Sequence, residues 1–284
     1  MPSFTAITGT KTLDEFTAKN GVTTPKLSGT TFKLMMYGSK GNPLYVKDDT
    51  TLQQLFPDAY AKFGSKDPEG HDSTKELSFF WAEGGVNPGH WYMTCDTDRE
   101  FNMDKYPLEQ GRGYIVFCGS SLSKGVKLTE SGAVGTADLP IKMAKSTYML
   151  SGNIAPRDFK IKEFTVVNGV STPKLSATTF KLLFFGVKSG NMMYVKDNTY
   201  LQEFCPKAYA KYGAEDSIKE FALFYAEGGT NPQHWYMTCD DEREFIMDDY
   251  VIKAGEGFEI FCGSSLTKGV TFTLPAALEA PAAE

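Results

Sequence analysis

A basic excess is absent. Lys plus Arg number 29 against 35 Asp plus Glu, a formal charge of −6, which leaves nothing to neutralise a phosphate backbone and excludes nucleic acid as an expected partner. Long apolar runs are absent too: no stretch approaches the roughly 18 residues of a membrane span, and Met1-Pro2-Ser3-Phe4 opens no signal peptide. Neither C-x-x-C nor H-x3-H spacing occurs, so tetrahedral zinc has no usual seat. Histidine is scarce, at His71, His90 and His234, and no G-x-S-x-G elbow is present to carry a nucleophile. What remains is the composition of an ordinary folded chain, with 41% apolar residues, 13% aromatic, 27 Gly and 14 Pro in 284 residues. Such a length suggests about two domains.

The main content of the sequence is an internal repeat. Phe16-Thr-Ala-Lys-Asn-Gly-Val-Thr-Thr-Pro-Lys-Leu-Ser28 returns as Phe164-Thr-Val-Val-Asn-Gly-Val-Ser-Thr-Pro-Lys-Leu-Ser176. His90-Trp-Tyr-Met-Thr-Cys-Asp96 returns as His234-Trp-Tyr-Met-Thr-Cys-Asp240, and Phe117-Cys-Gly-Ser-Ser-Leu122 as Phe261-Cys-Gly-Ser-Ser-Leu266. Roughly 65 of about 103 aligned positions are identical, and a period of roughly 145 residues is far beyond a solenoid unit. Tandem domains are therefore expected: residues 1–130 as the first repeat, 131–274 as the second with its connecting strands, and 275–284 as an Ala/Pro-rich tail. The connecting stretch 130–159 is too apolar and too long for a bare linker and is expected to add strands to the second repeat. The first repeat has only Met1 to Leu13 in the matching place, so either it is short of a strand or Phe4 to Ile7 of the same chain supplies it.

Alternation of Phe32, Leu34 and Met36 against Lys33 is strand periodicity, repeated in 179–185. Residues 44–47, 77–81, 91–95 and 113–118 are further aromatic or β-branched runs bounded by turn residues, which gives at least five strands per repeat. Residues 52–64 read as one short helix with Gly64 as its cap. The fold expected is mainly β, two tandem sandwiches or partly open barrels. Because Glu259 stands where Ile115 does, and a glutamate is hard to bury, Tyr114, Val116 and Cys118, with Phe258, Ile260 and Cys262, are expected to point inward.

Candidate chemistry is sparse. Cys95 and Cys118, with their counterparts Cys239 and Cys262, are either one disulfide per repeat or buried thiols; Cys205 in place of Phe56 shows one cysteine filling apolar space. His90 has Asp96 near in sequence and Ser120 and Ser121 as conceivable nucleophiles, but no elbow supports them, so catalysis is not expected. Gly111-x-Gly113 lacks the third glycine of a dinucleotide fingerprint and reads as a turn entering a strand. The acidic loops Asp96–Glu100 and Asp240–Glu244 are candidates for calcium or plain solvated loops. An aromatic set, Trp81, Trp91, Tyr92 and Tyr45 with Tyr225, Trp235, Tyr236 and Tyr194, could form a sugar platform, while Trp91 shares a face with Met93 and Cys95 and reads as core. That leaves Trp81, Tyr92, Tyr225 and Tyr236 as ligand-binding candidates.

Three segments carry a resemblance: Trp91 to Asp96, Gln110-Gly-Arg-Gly-Tyr-Ile-Val116, and Val126-Lys-Leu-Thr-Glu-Ser-Gly-Ala-Val134 leading to Tyr148-Met-Leu-Ser-Gly-Asn153. Together they resemble the G-x-G-[FY], V-x-L-T-x-S-G-x-V and N-L-x-x-N-P pattern of small all-β repeat proteins of unknown function secreted by some bacteria. The chain departs from it where Ile154 stands in place of the final proline. The resemblance implies a β fold and an extracellular or cell-surface location, and it transfers no catalytic residue. The function expected is that of a structural, self-associating subunit of a surface layer, matrix or filament, joined by strand exchange with the segment after Leu274 as donor. The alternative is a module binding a glycan or another ligand through duplicated aromatic sites.

Overall fold

The computed structural model describes residues 3–22, 25–36, 50–63, 77–170, 172–184, 199–213 and 221–276. The strand expected at 44–47, Tyr45, Tyr194, His71 and Gly64 lie outside the described residues. The fold is mainly β and sandwich-like, with no closed barrel among the described residues.

In the first repeat the strands are β1 (Ser3–Ala6), β2 (Lys11–Thr12), β3 (Phe16–Asn20), β4 (Phe32–Met36), β5 (Ser78–Ala82), β6 (His90–Met93), β7 (Pro107–Leu108), β8 (Gly113–Cys118) and β9 (Val126–Glu130). The second repeat contributes β10 (Leu139–Met143), β11 (Thr147–Gly152), β12 (Phe159–Lys160), β13 (Thr165–Asn168), β14 (Phe180–Phe184), β15 (Phe221–Ala226), β16 (His234–Met237), β17 (Val251–Ile252), β18 (Gly257–Cys262) and β19 (Val270–Leu274). Two antiparallel five-stranded sheets run in the orders β1-β8-β4-β5-β6 and β11-β18-β14-β15-β16. Their registers match residue for residue: Phe32 faces Cys118 as Phe180 faces Cys262, and Trp81 faces Trp91 as Tyr225 faces Trp235.

Each five-stranded sheet covers one core. Phe16, Phe32, Leu34, Phe79, Trp91, Tyr106 and Tyr114 fill the first, and Phe164, Phe180, Leu182, Trp235, Phe258, Ile260 and Phe272 the second. The period-2 pattern is visible in β3, where Phe16 and Ala18 are buried and Thr17 and Lys19 exposed. Burying each large apolar side chain contributes roughly 1.5–3 kcal/mol, and these clusters are what hold the strands in register.

The segment read as one helix is two: α1 (Thr50–Leu55) and α2 (Pro57–Phe63), repeated as α3 (Thr199–Phe204) and α4 (Pro206–Tyr212). The break falls at Phe56 and Cys205, each before a proline, whose ring disfavours helical backbone in the residue ahead of it.

A second correction concerns Glu259. Its neighbours Phe258, Ile260 and Cys262 point into the core as expected, yet Glu259 itself is only 2% exposed. The outer faces of the two five-stranded sheets lie against each other: Met35 and Ile115 meet Leu150, with Phe117 beside them, and Glu259 is paired in register with Leu150 and Leu183. Ser151 Oγ donates to Gly111 O at 2.7 Å across this contact. A Cβ on Gly113 would sit 2.8 Å from Leu150, so the close approach needs a glycine there.

Candidate functional site

The two repeats differ most at one sheet edge. β19 lies between β13 and β10 in a three-stranded sheet, while among the described residues the matching strand β9 pairs only with β3. The connecting stretch thus supplies β10 and β11 to the second repeat, and the first repeat has no counterpart of β10 among the described residues. Ser131 N donates to Glu15 O and Gly21 N to Gly125 O, which sets the phase of the β3–β9 ladder. In an antiparallel pair alternate residues bond the neighbour, so the backbone groups of Val126, Leu128 and Glu130 are directed away from β3. On β19 the corresponding residues, Val270, Phe272 and Leu274, stand opposite Met143, Ile141 and Leu139.

The missing strand has visible consequences for burial. Val270, Phe272 and Leu274 are buried, whereas Val126 and Leu128 are only half-buried. Cys262 is fully buried and Cys118 is not. The Val126 amide lies against the Cys118 thiol. One end of β9 is occupied instead by an ion pair. Lys11 Nζ sits 3.6 Å from Glu130 Oε1 and donates to Ser131 O and Ala133 O, holding the departing chain on the β2–β3 side. In the second repeat the same two positions are Phe159 and Leu274, both in the apolar core. The exchange of Lys for Phe and Glu for Leu between aligned positions was the available sequence signal for this corner.

The disulfide reading is overturned. Cys95, Cys118, Cys205, Cys239 and Cys262 are all free thiols. β8, which ends at Cys118, and β6, which ends two residues before Cys95, are separated by β4 and β5, three strand spacings or roughly 14 Å, against the roughly 4.4–6.8 Å between Cα atoms that a bridge requires. Cys239 and Cys262 are separated in the same way. Burial pushes the Cys262 thiol up to about 11 from 9.0. A group whose folded value is raised contributes stability that is complete below its unfolded value and is lost as pH rises through the folded one. Unfolding free energy should therefore fall by roughly 2–3 kcal/mol from this thiol between pH 9 and 11. Urea titrations of the wild type and Cys262→Ala across that window check it, and an identical slope in both would refute the assignment.

The aromatic candidates divide. Trp91 and Trp235 are core, with Trp91 Nε1 donating to Phe16 O at 2.9 Å. Tyr92 and Tyr236 are also buried, against the reading of them as open ligand-binding faces. Each packs on Phe80 or Phe224, which in turn lies beneath the guanidinium of Arg99 or Arg243, and each gives its hydroxyl to Asn87 O or Asn231 O. Burial raises both phenols above their ordinary value. Trp81 and Tyr225 remain half-buried, edge-on to Trp91 and Trp235 at 5.5 Å.

The histidines pair with carboxylates other than the one suggested by sequence. His90 Nδ1 lies 2.7 Å from Asp104 Oδ2, and His234 Nδ1 2.7 Å from Asp248 Oδ2. The other oxygen of each carboxylate accepts from Trp91 N or Trp235 N, so the dyad pins the start of β6 and β16. Ser120 and Ser121 follow β8, three strand spacings from β6, far outside the reach of a base. Asp96 and Asp240, the first residues of the acidic loops, are fully buried and accept backbone amides: Asp96 those of Glu100 and Phe101, Asp240 those of Glu244 and Phe245. Those carboxylates organise a turn. Gly111, at φ +77°, makes the turn that enters β8, as its sequence context suggests.

No family model matches the chain, and no curated protein does. Among solved structures, the major capsid protein P2 from Bacteriophage PM2 matches over 96% of this chain and 95% of its own, at 12% identity and a TM-score of 0.10, a likeness too slight to carry any argument.

Proposed function

We propose that this chain is a non-enzymatic structural protein, acting outside the cell or at its surface, that self-associates by adding a strand at the open β9 edge. One observation carries the reading: two matching strands, β9 and β19, share a register with β3 and β13, but among the described residues only β19 has its second edge covered by a strand. An uncovered edge offers its amides and carbonyls as a template for another strand, and here the Val126 amide at one end is already taken by the Cys118 thiol. The groups that sequence offers for catalysis support the same reading, since both histidines and both buried loop aspartates are engaged in holding strands and turns.

The segment expected to act as donor, the stretch after Leu274, lies outside the described residues beyond Ala276, and β19 ahead of it cannot take its place. Val270–Leu274 is the central strand of its sheet, so donation of β19 would dismantle the second repeat. Light scattering after size exclusion, over a concentration series, tests the proposal on the full chain and on a chain ending at Leu274. The expected result is a mass that rises with concentration in both. A full-chain mass of 31.4 kDa at every concentration would refute self-association.

A further inference from the structure

We infer that the strand completing the β9 edge is β9 of a second copy of this chain, paired antiparallel about a two-fold axis through Leu128; the inference rests on the self-association proposed above. The second repeat defines what the edge accepts. β10 covers β19 antiparallel, with Leu139, Ile141 and Met143 opposite Leu274, Phe272 and Val270, so the occupant is an extended segment with apolar residues at every second position. Val126-Lys-Leu-Thr-Glu130 fills two of those three places with apolar residues, Val126 and Leu128 turned toward the core, with Glu130 in the third and Lys127 and Thr129 outward.

Donation of β10 by a neighbour fails on balance. β10 already covers β19, and moving it to β9 of another molecule would uncover one edge for each edge it closed. A β9–β9 pair closes two edges and opens none. It is also consistent with the side chains. About a two-fold axis at Leu128, Leu128 stands opposite its own copy, Lys127 opposite Thr129, and Val126 opposite Glu130, so no two like charges are directly opposed. The phase agrees as well, because Val126, Leu128 and Glu130 are the residues whose backbone groups are directed away from β3, and pairing exchanges the Cys118 thiol for a carbonyl at the Val126 amide. The chain beyond Glu130 leaves on the other side, where Ser131 is bound to Glu15 and Lys11. The product is a continuous four-stranded sheet, β3-β9-β9-β3. Because a two-fold contact uses the same patch on both molecules, it closes as a dimer, and a filament would need a further, different surface.

Thr129 is exposed and faces exposed Thr17 on β3, so its substitution tests the pairing without disturbing the core. Thr129→Lys places a second lysine directly opposite Lys127 of the other copy, twice per dimer, and Thr129→Glu places a carboxylate there. Sedimentation equilibrium at low salt should show the dimer dissociation constant raised roughly two- to thirtyfold by Thr129→Lys and lowered by a similar factor by Thr129→Glu. Circular dichroism melts should leave both variants folded. If the wild type assembles but both variants assemble like it, the β9 pair is overturned while self-association stands. If the wild type is a monomer throughout, self-association fails and the pair fails with it.

Discussion

Lys11→Met is expected to destabilise the fold by about 3–5 kcal/mol, the usual cost of removing one member of a buried ion pair. Lys11 is 3% exposed although it is a lysine, and its ammonium serves Glu130 and the carbonyls of Ser131 and Ala133. Without it the Glu130 carboxylate keeps only the Thr8 amide and hydroxyl and carries an uncompensated charge in a half-buried corner. Glu130→Leu alone should also destabilise, because the buried ammonium loses its counter-charge and keeps only the carbonyls of Ser131 and Ala133. The second repeat shows the apolar solution to the same corner, Phe159 with Leu274. Lys11→Phe with Glu130→Leu should therefore be markedly less damaging than either single change, since replacing a buried pair by apolar residues is often neutral or better. Ser131 and Ala133 are exposed, so water can take over their carbonyls in the double variant. Urea midpoints with unchanged m-values measure the cycle, and simple additivity of the two single effects would refute the coupling.

Much of this architecture was legible before any coordinates. The mainly β character, the strand periodicity of 32–36 and 180–184, the core position of Trp91 and the strands supplied by the connecting stretch all depend on local pattern, and local pattern is what a sequence displays directly. Comparing the lengths ahead of Phe16 and Phe164 left open whether the first repeat is short of a strand or draws one from Phe4 to Ile7; β1 stands on β8 as β11 stands on β18, and no counterpart of β10 is present among the described residues.

What was not legible depends on which distant segments become neighbours. The paired cysteines looked bridgeable because both lie near strands in a short stretch, but β8 returns to pair with β1 and β4, and that order places two strands between β8 and β6. Asp104 outcompeted Asp96 for His90 because the turn after β6 brings residue 104 back to the strand's start, whereas Asp96 is consumed by the turn itself. Tyr92 alternates with Trp91 and so belongs on the outer face by period. That face is nevertheless covered, because Arg99, at φ +56°, throws its guanidinium across Phe80 to the carbonyls of Gly84 and Val86. Glu259 misled for the converse reason: the rule that carboxylates stay wet holds for a sheet face open to water, and this face meets the other sheet.

Asp240→Ala should be the costlier of the two buried loop-aspartate truncations, at about 3–5 kcal/mol, because it leaves more donors without an acceptor. Asp240 is fully buried and accepts three hydrogen bonds, from Glu244 N at 3.1 Å, Phe245 N at 2.9 Å and the Tyr212 hydroxyl at 3.0 Å. Asp96 accepts the matching amides of Glu100 and Phe101, but Phe63 stands where Tyr212 does and brings no hydroxyl. Burial first, and then this carboxylate, push the Tyr212 phenol up to about 12, so it remains a donor throughout the physiological range. The extra bond should make Asp240→Ala more damaging than Asp96→Ala by about 1 kcal/mol, and Tyr212→Phe should remove that difference. Asp240→Asn is a sharper test of chemistry than of volume. Its amide nitrogen would point at a backbone N–H that needs an acceptor, so an isosteric change should still cost about 1–3 kcal/mol. The corner also positions Arg243, whose backbone amide bonds Asp240 O at 3.1 Å and whose guanidinium covers Phe224. Losing the carboxylate should therefore loosen the cover over Tyr236 as well, which faster hydrogen exchange at residues 234–237 would report. Unchanged exchange there, with stability lost, would confine the role of Asp240 to its own turn.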